Sequence, residues 1–500
     1  MEDAPGAIPD LVAHAHERHV VVVGGGIAGL VAAYECAKVG LTVTLVEADA
    51  RPGGTIGDAE LDGMPVGTGV TCWATAGGAV DRLVDELGIA DAVVEPSASS
   101  VWISGLSSGA APMPRETVRG IPANPWADDV RAIIGWGGAW RAYLDRLRPP
   151  MTIGVERSLA RLVGSRMGGT VLERMVAPLT VGVYGIRPEE IDIDVAAPGL
   201  NGALTRTGSL GGAVAEALVG RGGGGIRSLA GGMPRLVSAL VGRLGELSVD
   251  VRPGTEALRL ERDDDGHWIL HVAEADDDAP TDDDAPTGHA EPIAPADAVI
   301  VATDEQAARM LLEPVVPDLA AVATRGPVDL ETVTLIVESA ALDAHPRGTA
   351  CYPIPGTAAA ASMLDETARW GWLAEAAGAG RHVLRLSFGT ADEPPATAGL
   401  DDAEAIEAAA DAAAELLGIA RAELTVRDGV RERHILARPA SVLGHADDAA
   451  AVRAAIGDVS GLSAVGAWVA GSGLAHTVAD TVTEADGVRR GVLWESDTPE

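Results

Sequence analysis

The sequence predicts an α/β fold, and three patterns predict it. A strand, a glycine turn, a helix and a second strand follow one another between residues 19 and 48. Strand-like runs return far along the chain, at 268–272 and 298–302. Between residues 120 and 180 the pattern is mostly helical, with Trp126, Trp136, Trp140 and Tyr143 set among Arg and Asp. Strands alternating with helices imply a parallel sheet covered on both faces, and the helical stretch reads as an insertion.

The elements follow in order. Residues 20–23 are consecutive valines, as expected of a parallel strand buried on both sides. Residues 27–39 have helical spacing, and 41–46 read as a second strand. Pro149 and Pro150 break the helical stretch. Asp192 and Asp194 read as alternate positions of a strand with a solvated face. The runs 268–272 and 298–302 read as two arms of a β-hairpin. Between them, 276–287 spells DDDAPTDDDAPT, whose charge, proline and repetition mark a disordered acidic loop over about 274–288.

Composition narrows the class. Against 73 Asp+Glu the 500 residues hold only 37 Lys+Arg, a net charge of −36. That excludes nucleic-acid binding, which needs a basic face, and docking on anionic lipid through a polybasic patch. Cys36, Cys72 and Cys351 are scattered, with neither CxxC nor metal-ligand spacing, which fits a reducing cytosol. The first residues lack the basic and apolar segments of a signal peptide, and no apolar run of about 18 residues occurs. A cytoplasmic protein without integral membrane association is expected. His14, His16 and His19 read as part of a solvated arm, and no metal is expected.

The chemistry concentrates at the first turn. Gly24-x-Gly26-x-x-Gly29 follows the valine strand and opens the helix. The first glycine permits the tight turn, the second lets backbone N–H groups approach a pyrophosphate, and the third lets helix and strand pack closely. Glu47 ends the second strand, 18 residues after Gly29, where a carboxylate accepts hydrogen bonds from ribose hydroxyls. Strand, turn, helix and acid together predict a Rossmann-type dinucleotide-binding unit.

Which dinucleotide is indicated by the next segment. Arg51-Pro52-Gly53-Gly54-Thr55 resembles the second glycine pair of the large FAD family that includes amine oxidases. Near the C-terminus, Gly466-Ala467-Trp468-Val469-Ala470-Gly471-Ser472-Gly473-Leu474 resembles the turn that brings a helix start to the flavin in that family. The resemblance implies FAD, held by Gly24, Gly25, Gly26, Ile27, Ala28, Gly29, Glu47, Ala48, Arg51, Gly53, Gly54, Thr55, Gly69, Val70, Thr71, Ala257, Ser472, Gly473 and Leu474.

A narrower resemblance is to the porphyrinogen-oxidising flavoproteins, the protoporphyrinogen and coproporphyrinogen III oxidases, in their actinobacterial branch. It is carried by Ala177-Pro178-Leu179-Thr180-Val181-Gly182-Val183-Tyr184-Gly185 with Pro188-Glu189-Glu190-Ile191, by Gly231-Gly232-Met233-Pro234-Arg235-Leu236, and by Arg438-Pro439 with Gly444-His445. Gly120-Ile121-Pro122-Ala123-Asn124-Pro125 and Trp136-Gly137-Gly138 add to it. It implies oxidation of coproporphyrinogen III to coproporphyrin III in haem biosynthesis, with molecular oxygen as acceptor and hydrogen peroxide released. No catalytic side chain is implied, because flavin N5 carries the chemistry. Transient contact with a ferrochelatase is implied for the product. Arg119 falls where the family places an arginine that pairs with a substrate propionate, while Gly182 and Tyr184 read as shaping the macrocycle slot, with Tyr184 reading equally as core packing.

The chain departs from the family at Thr55, at the neutral segment from Gly67 to Thr71, at Ala76 and at His434. Two other readings therefore stand beside the enzyme: a carrier that binds porphyrin or FAD without turnover, and another amine-oxidase-like flavoenzyme. The expected organisation is a two-dinucleotide-binding-domain flavoprotein. Its FAD domain is discontinuous, at 15–95, 225–310 and 430–495. A β-rich substrate domain spans 96–114 and 311–429, and a helical insertion spans 115–210. The Arg, Asp and Glu content of that insertion predicts a polar surface.

Overall fold

Four valines in a row have no polar face to offer water, and the chain buries them completely. In the computed structural model, which describes residues 14–98, 100–148, 156–220, 225–274 and 290–494, Val20, Val21, Val22 and Val23 are each at most 2% exposed. Their strand, His19–Val23, is the centre of a five-stranded parallel sheet. Its order is Asp250–Arg252, Thr42–Val46, His19–Val23, Ala298–Val301, Leu462–Ala464. Three distant stretches of chain thus meet in one sheet.

Helices cover one face. Helix Ile27–Ala37 packs against Leu474–Trp494 and Pro234–Glu246, and all three share an apolar core with the sheet. On the other face Val21, Val23, Val299 and Val301 pack against a small antiparallel sheet and helix Glu305–Leu312. That small sheet corrects one expectation. Strand Trp268–Glu274 pairs with Thr255–Arg262 and Glu291–Pro292, whereas Ala298–Val301 joins the parallel sheet. The two runs read as hairpin arms belong to different layers, because a fully apolar run is stable only inside the parallel sheet. The acidic repeat at 276–287, Pro149 and Pro150 lie outside the described residues.

A seven-stranded mixed sheet forms the second large layer. Its order is Thr425–Leu436, Val328–Glu338, Arg381–Phe388, Ser362–Asp365, Ala350–Pro353, Val101–Leu106, Gly109–Pro112. Helix Asp402–Leu417 lays an alanine-rich face on it and starts with a capping box between Asp401 and Glu404. The expected domain boundary at 430 falls inside Thr425–Leu436, which pairs with Val328–Glu338 as far as Leu436. The ladder hydrogen bonds hold that strand in the second sheet to its end.

The third region is helical, including Asp128–Tyr143, Leu159–Arg166, Ala177–Tyr184 and Leu200–Thr207 around a common core. Asp192 and Asp194 are not on a strand. Asp192 is buried, caps helix Ile193–Ala196 through the Asp194 N–H, and pairs with Arg157 at 2.7 Å. Asp is a strong N-cap, and that local preference outweighed the period-two pattern. The polar surface expected of this region is also interrupted. Gly135, at φ +68°, breaks helix Asp128–Tyr143, and Trp136 and Trp140 stand 69% and 58% exposed. Among the described residues no helix is long and apolar enough to cross a membrane.

Candidate cofactor cradle and substrate cleft

The glycine turn sits at the C-terminal end of the central strand. Gly24 has φ +101°, and a Cβ there would stand 2.9 Å from the Ala302 carbonyl oxygen. At Gly29 a Cβ would fall 1.7 Å from the Gly24 carbonyl oxygen, so only glycine lets helix and strand close. Gly26 is different: no atom lies within 4 Å of where its Cβ would be. The turn is tight where it meets protein and open at Gly26, the arrangement a phosphate needs for approach to backbone N–H groups.

The second glycine pair lies on the first turn. Gly53 donates its N–H to the Gly25 carbonyl at 3.0 Å, and a Cβ on Gly54 would meet Gly26 Cα at 3.1 Å. Thr55 in turn accepts from the Val70 N–H at 2.9 Å, and a Cβ on Gly69 would reach 1.8 Å from the Thr55 oxygen. From the far end of the chain, Val465 donates to the Val301 carbonyl at 2.8 Å, and Gly466 faces Ala28. Ser472 is fixed by its N–H to the Arg438 carbonyl at 3.0 Å, and Leu474 joins the core shared with Ile27. The structure therefore links Gly24 to Gly29, Gly53 to Thr55 and Gly69 to Val70 by successive contacts, while the C-terminal turn reaches Ala28 through Gly466 and the sheet's helical cover through Leu474.

Glu47 closes the cradle's other side. Its carboxylate accepts from the Gly25 N–H and from the Asp49 N–H, the latter at 2.8 Å. Burial pushes this carboxyl above its usual range, against the pull of those N–H groups. Thr255, two residues before Ala257, donates to the Glu47 carbonyl at 2.8 Å, which places Ala257 on the strand leaving this corner. Ala48 is exposed beside it. Arg51 turns outward instead, 76% exposed and paired with Asp58 at 3.3 Å.

Beyond the Gly69 segment lies a set of buried polar groups that no local motif announced. Arg385 donates to the carbonyls of Gly67 and Gly69, and burial pulls its pKa down. Arg369 lies 3.2 Å from Cys72 Sγ and 3.9 Å from Glu366. Thr71 Oγ1 is 3.4 Å from the Glu366 carboxylate. Burial pushes the Tyr352 phenol up to about 12, with Arg369 acting against it. A Cβ at Gly182 would strike the Tyr352 ring at 2.3 Å, so Gly182 is the gap that lets helix Ala177–Tyr184 sit on that tyrosine. At the end of the same helix the Tyr184 hydroxyl accepts from Arg119 Nη1 at 2.8 Å. Arg119 has φ +51°, is exposed, and is also tied through Nε to the Ala196 carbonyl at 2.8 Å. Arg119 and Tyr184 thus pair at the end of a helix whose Gly182 rests on Tyr352.

Gly69 and Arg385 stand 316 positions apart, which is why reading the chain locally missed the second group. The one available signal was the neutral segment from Gly67 to Thr71. There the chain offers backbone carbonyls, and Arg385 donates to two of them. The other departures fall at exposed Thr55 and Ala76, and at His434. His434 shares a hydrogen bond with Thr332 at 3.1 Å, and burial lowers its pKa.

A parallel sheet with a glycine turn after its central strand, an acid at the end of the next strand and a returning C-terminal helix is the architecture of a dinucleotide-binding domain. The family described as flavin containing amine oxidoreductase matches residues 27–484. The chain belongs to that family, in the branch of the coproporphyrinogen III oxidases, and its cofactor is FAD. A coproporphyrinogen III oxidase of Mycobacterium tuberculosis (strain ATCC 25618 / H37Rv) is 30% identical over 91% of this chain and 94% of its own. The coproporphyrinogen III oxidase of Propionibacterium freudenreichii subsp. freudenreichii is 27% identical over 97% and 92%. Among solved structures, a protein from Exiguobacterium sp. 255-15 superposes with TM-score 0.78 at 22% identity, covering 94% of this chain and 98% of that one. Reduced UDP-galactopyranose mutase gives 0.67 at 14% identity, with 95% and 96% covered. Both likenesses concern the fold.

Proposed function

We propose that the protein oxidises coproporphyrinogen III to coproporphyrin III, with oxygen as the final acceptor and hydrogen peroxide as the second product. The observation that carries this reading is the likeness to coproporphyrinogen III oxidases along nine-tenths of the chain, at 30% identity. When bound, FAD supplies the two-electron acceptor and the reactivity toward oxygen. The protein's part is to bind, orient and exclude water.

In this reading the open backbone at Gly26 receives the pyrophosphate, Glu47 accepts from the adenosine ribose, and the segment from Gly69 to Thr71 borders the flavin. The discontinuous FAD domain corresponds to the parallel sheet with its helices, the substrate domain to the seven-stranded sheet, and the insertion to the helical region. The macrocycle lies in the cleft between Tyr184 and Tyr352, and Arg119 meets a propionate at its mouth. Tyr184 holds that guanidinium by hydrogen bond and ring face, at 5.9 Å from the centroid, so the fork is oriented before substrate arrives. Cationic residues near the cleft matter more than usual in a chain of charge −36, whose overall field repels a tetracarboxylate.

Anaerobic mixing tests the reading. Coproporphyrinogen III is expected to bleach the 450 nm flavin band within the turnover time, and admitting oxygen to restore it with peroxide. Flavin that stays oxidised in the presence of coproporphyrinogen III would sink the proposal and leave the carrier reading. Arg119→Ala is expected to raise KM by about ten-fold to a hundred-fold, the worth of one charge-assisted pair, with flavin content unchanged. An unchanged KM removes Arg119 from the site.

A further inference from the structure

At one end of two inner strands of the seven-stranded sheet, beside the short helix that carries Glu366 and Arg369, His345, Asp365 and His382 bring one ligand atom each within 4.8 Å of one another. Asp365 ends strand Ser362–Asp365. Its Oδ1 accepts from the Thr367 hydroxyl at 2.6 Å and the Ala368 N–H at 2.8 Å. Those bonds fix the carboxylate and leave Oδ2 facing His345 Nδ1 at 3.2 Å. His382, on strand Arg381–Phe388, is buried, yet its Nε2 makes no well-aligned hydrogen bond. Asp343 Oδ1 stands 3.2 Å from that nitrogen, and the Asp343 side chain is 52% exposed, so solvent reaches the cluster.

The geometry points to a divalent transition-metal site, suited to Zn²⁺, with His345, Asp365 and His382 as ligands, and with the exposed Asp343 carboxylate, which lies outside the three-residue cluster but 3.2 Å from His382 Nε2, turning in as the fourth. Two imidazoles with carboxylates are a borderline donor set, which favours zinc over calcium or magnesium, whose ligands are oxygens. Ligands about 2.0–2.2 Å from a tetrahedral zinc stand roughly 3.3 Å from each other. Two of the pairs here are already 3.2 Å apart, and the remaining separations need to contract. Two carboxylates and two neutral imidazoles exactly balance a dication in charge, so burying the ion leaves no net charge unmatched. The hydrogen bonds on Asp365 are the outer support that orients a metal ligand. A bound ion would clip the segment around 343–345 to strands Ser362–Asp365 and Arg381–Phe388. The spacing escapes a motif search because the two histidines are far apart in sequence and meet only through the strand register.

The flavin-loaded full chain, stripped with EDTA, is titrated with Co²⁺ and then Zn²⁺. Expected are visible d–d bands of tetrahedral intensity that saturate at one equivalent and vanish as Zn²⁺ displaces Co²⁺. His345 sits at φ +44°, a backbone that asparagine accepts readily, so His345→Asn keeps the fold while removing a ligand. With flavin content and circular dichroism intact, it is expected to weaken Co²⁺ binding at least ten-fold, and Asp343→Asn to do the same to a smaller extent. No tetrahedral band in the parent chain overturns the assignment. So does a band of undiminished affinity in His345→Asn, which would place the ion elsewhere, for instance on His14, His16 and His19. If His345→Asn loses its flavin, the comparison passes to Asp343→Asn, where undiminished affinity is equally decisive.

Discussion

Gly26→Ala is expected to purify as a folded, colourless apoprotein, while Gly29→Ala is expected not to fold. The two glycines belong to one turn, and their surroundings separate the roles. At Gly26 the backbone is ordinary, with φ −65° and ψ 177°, and a methyl group would touch nothing. The substitution therefore leaves apoprotein stability within about 0.5 kcal/mol of the parent. The methyl enters the space through which a pyrophosphate approaches the N–H groups, and FAD affinity is expected to fall at least about a hundred-fold, near 2.7 kcal/mol. At Gly29 the same methyl lands 1.7 Å from the Gly24 carbonyl oxygen, in the turn between strand and helix. Relief requires moving helix against sheet in a close-packed core, at a cost of about 4 kcal/mol or more. The ratio of 450 to 280 nm absorbance reports the first effect, and urea unfolding with flavin titration separates it from the second. A yellow Gly26→Ala protein of normal affinity would remove the pyrophosphate from this turn.

Arg431→Leu is expected to destabilise the second sheet by about 3–5 kcal/mol. Glu331 is wholly buried in strand Val328–Glu338 and receives Arg431 through Nε at 3.0 Å and Nη2 at 2.8 Å. The same arginine reaches the Leu400 and Thr397 carbonyls, at 2.7 and 3.0 Å, so one side chain joins two strands and a loop. Removing it strands a buried carboxylate. Burial pushes the Glu331 carboxyl up, but hydrogen bonds from Arg431 and Thr397 outweigh that and hold it below the usual range. A carboxyl lowered on folding stabilises the protein above its unfolded pKa, and that stability is lost as pH falls through the folded pKa. In Arg431→Leu the largest lowering influence is gone and only Thr397 and Arg433 remain against burial, so this carboxyl's contribution shrinks and the advantage of neutral over acid pH narrows. Chemical denaturation at neutral and acid pH measures both, and Glu331→Leu combined with Arg431→Leu should recover much of the loss. Parent and single variant with equal midpoints at neutral pH would show that the pair contributes nothing.

These cases also mark what could be read from the chain alone. The strand, glycine turn and helix were legible because their pattern is local: Gly24, Gly26, Gly29, Glu47, Gly53 and Gly54 fall within one strand–turn–helix–strand unit and its exit. The valine strand was legible because period and composition agree. The partner of Ala298–Val301 was not, since an apolar run specifies burial without specifying which neighbour provides it. Asp192 was misjudged because alternation and N-capping both fit the same few residues, and only tertiary context chose. Arg385, Arg369 and Tyr352 were invisible for a plainer reason. Their value lies in contacts with Gly69, Cys72 and Gly182, made across hundreds of residues by sheet register. Trp136 and Trp140 show the reverse failure, since the charges around them gave no warning that a glycine break would turn both rings to solvent.

The joining of chain ends in the parallel sheet has a consequence for biosynthesis. Helix Ile27–Ala37 is buried at nearly every position, and much of its cover is helix Leu474–Trp494. A ribosome adding about 5–20 residues per second needs on the order of 20–90 s between Gly29 and Leu474. For that interval the valine strand and its helix are made but uncovered, and the cradle lacks its last side. A product truncated before Leu474 is therefore expected to carry the whole glycine fingerprint yet leave helix Ile27–Ala37 without its main cover.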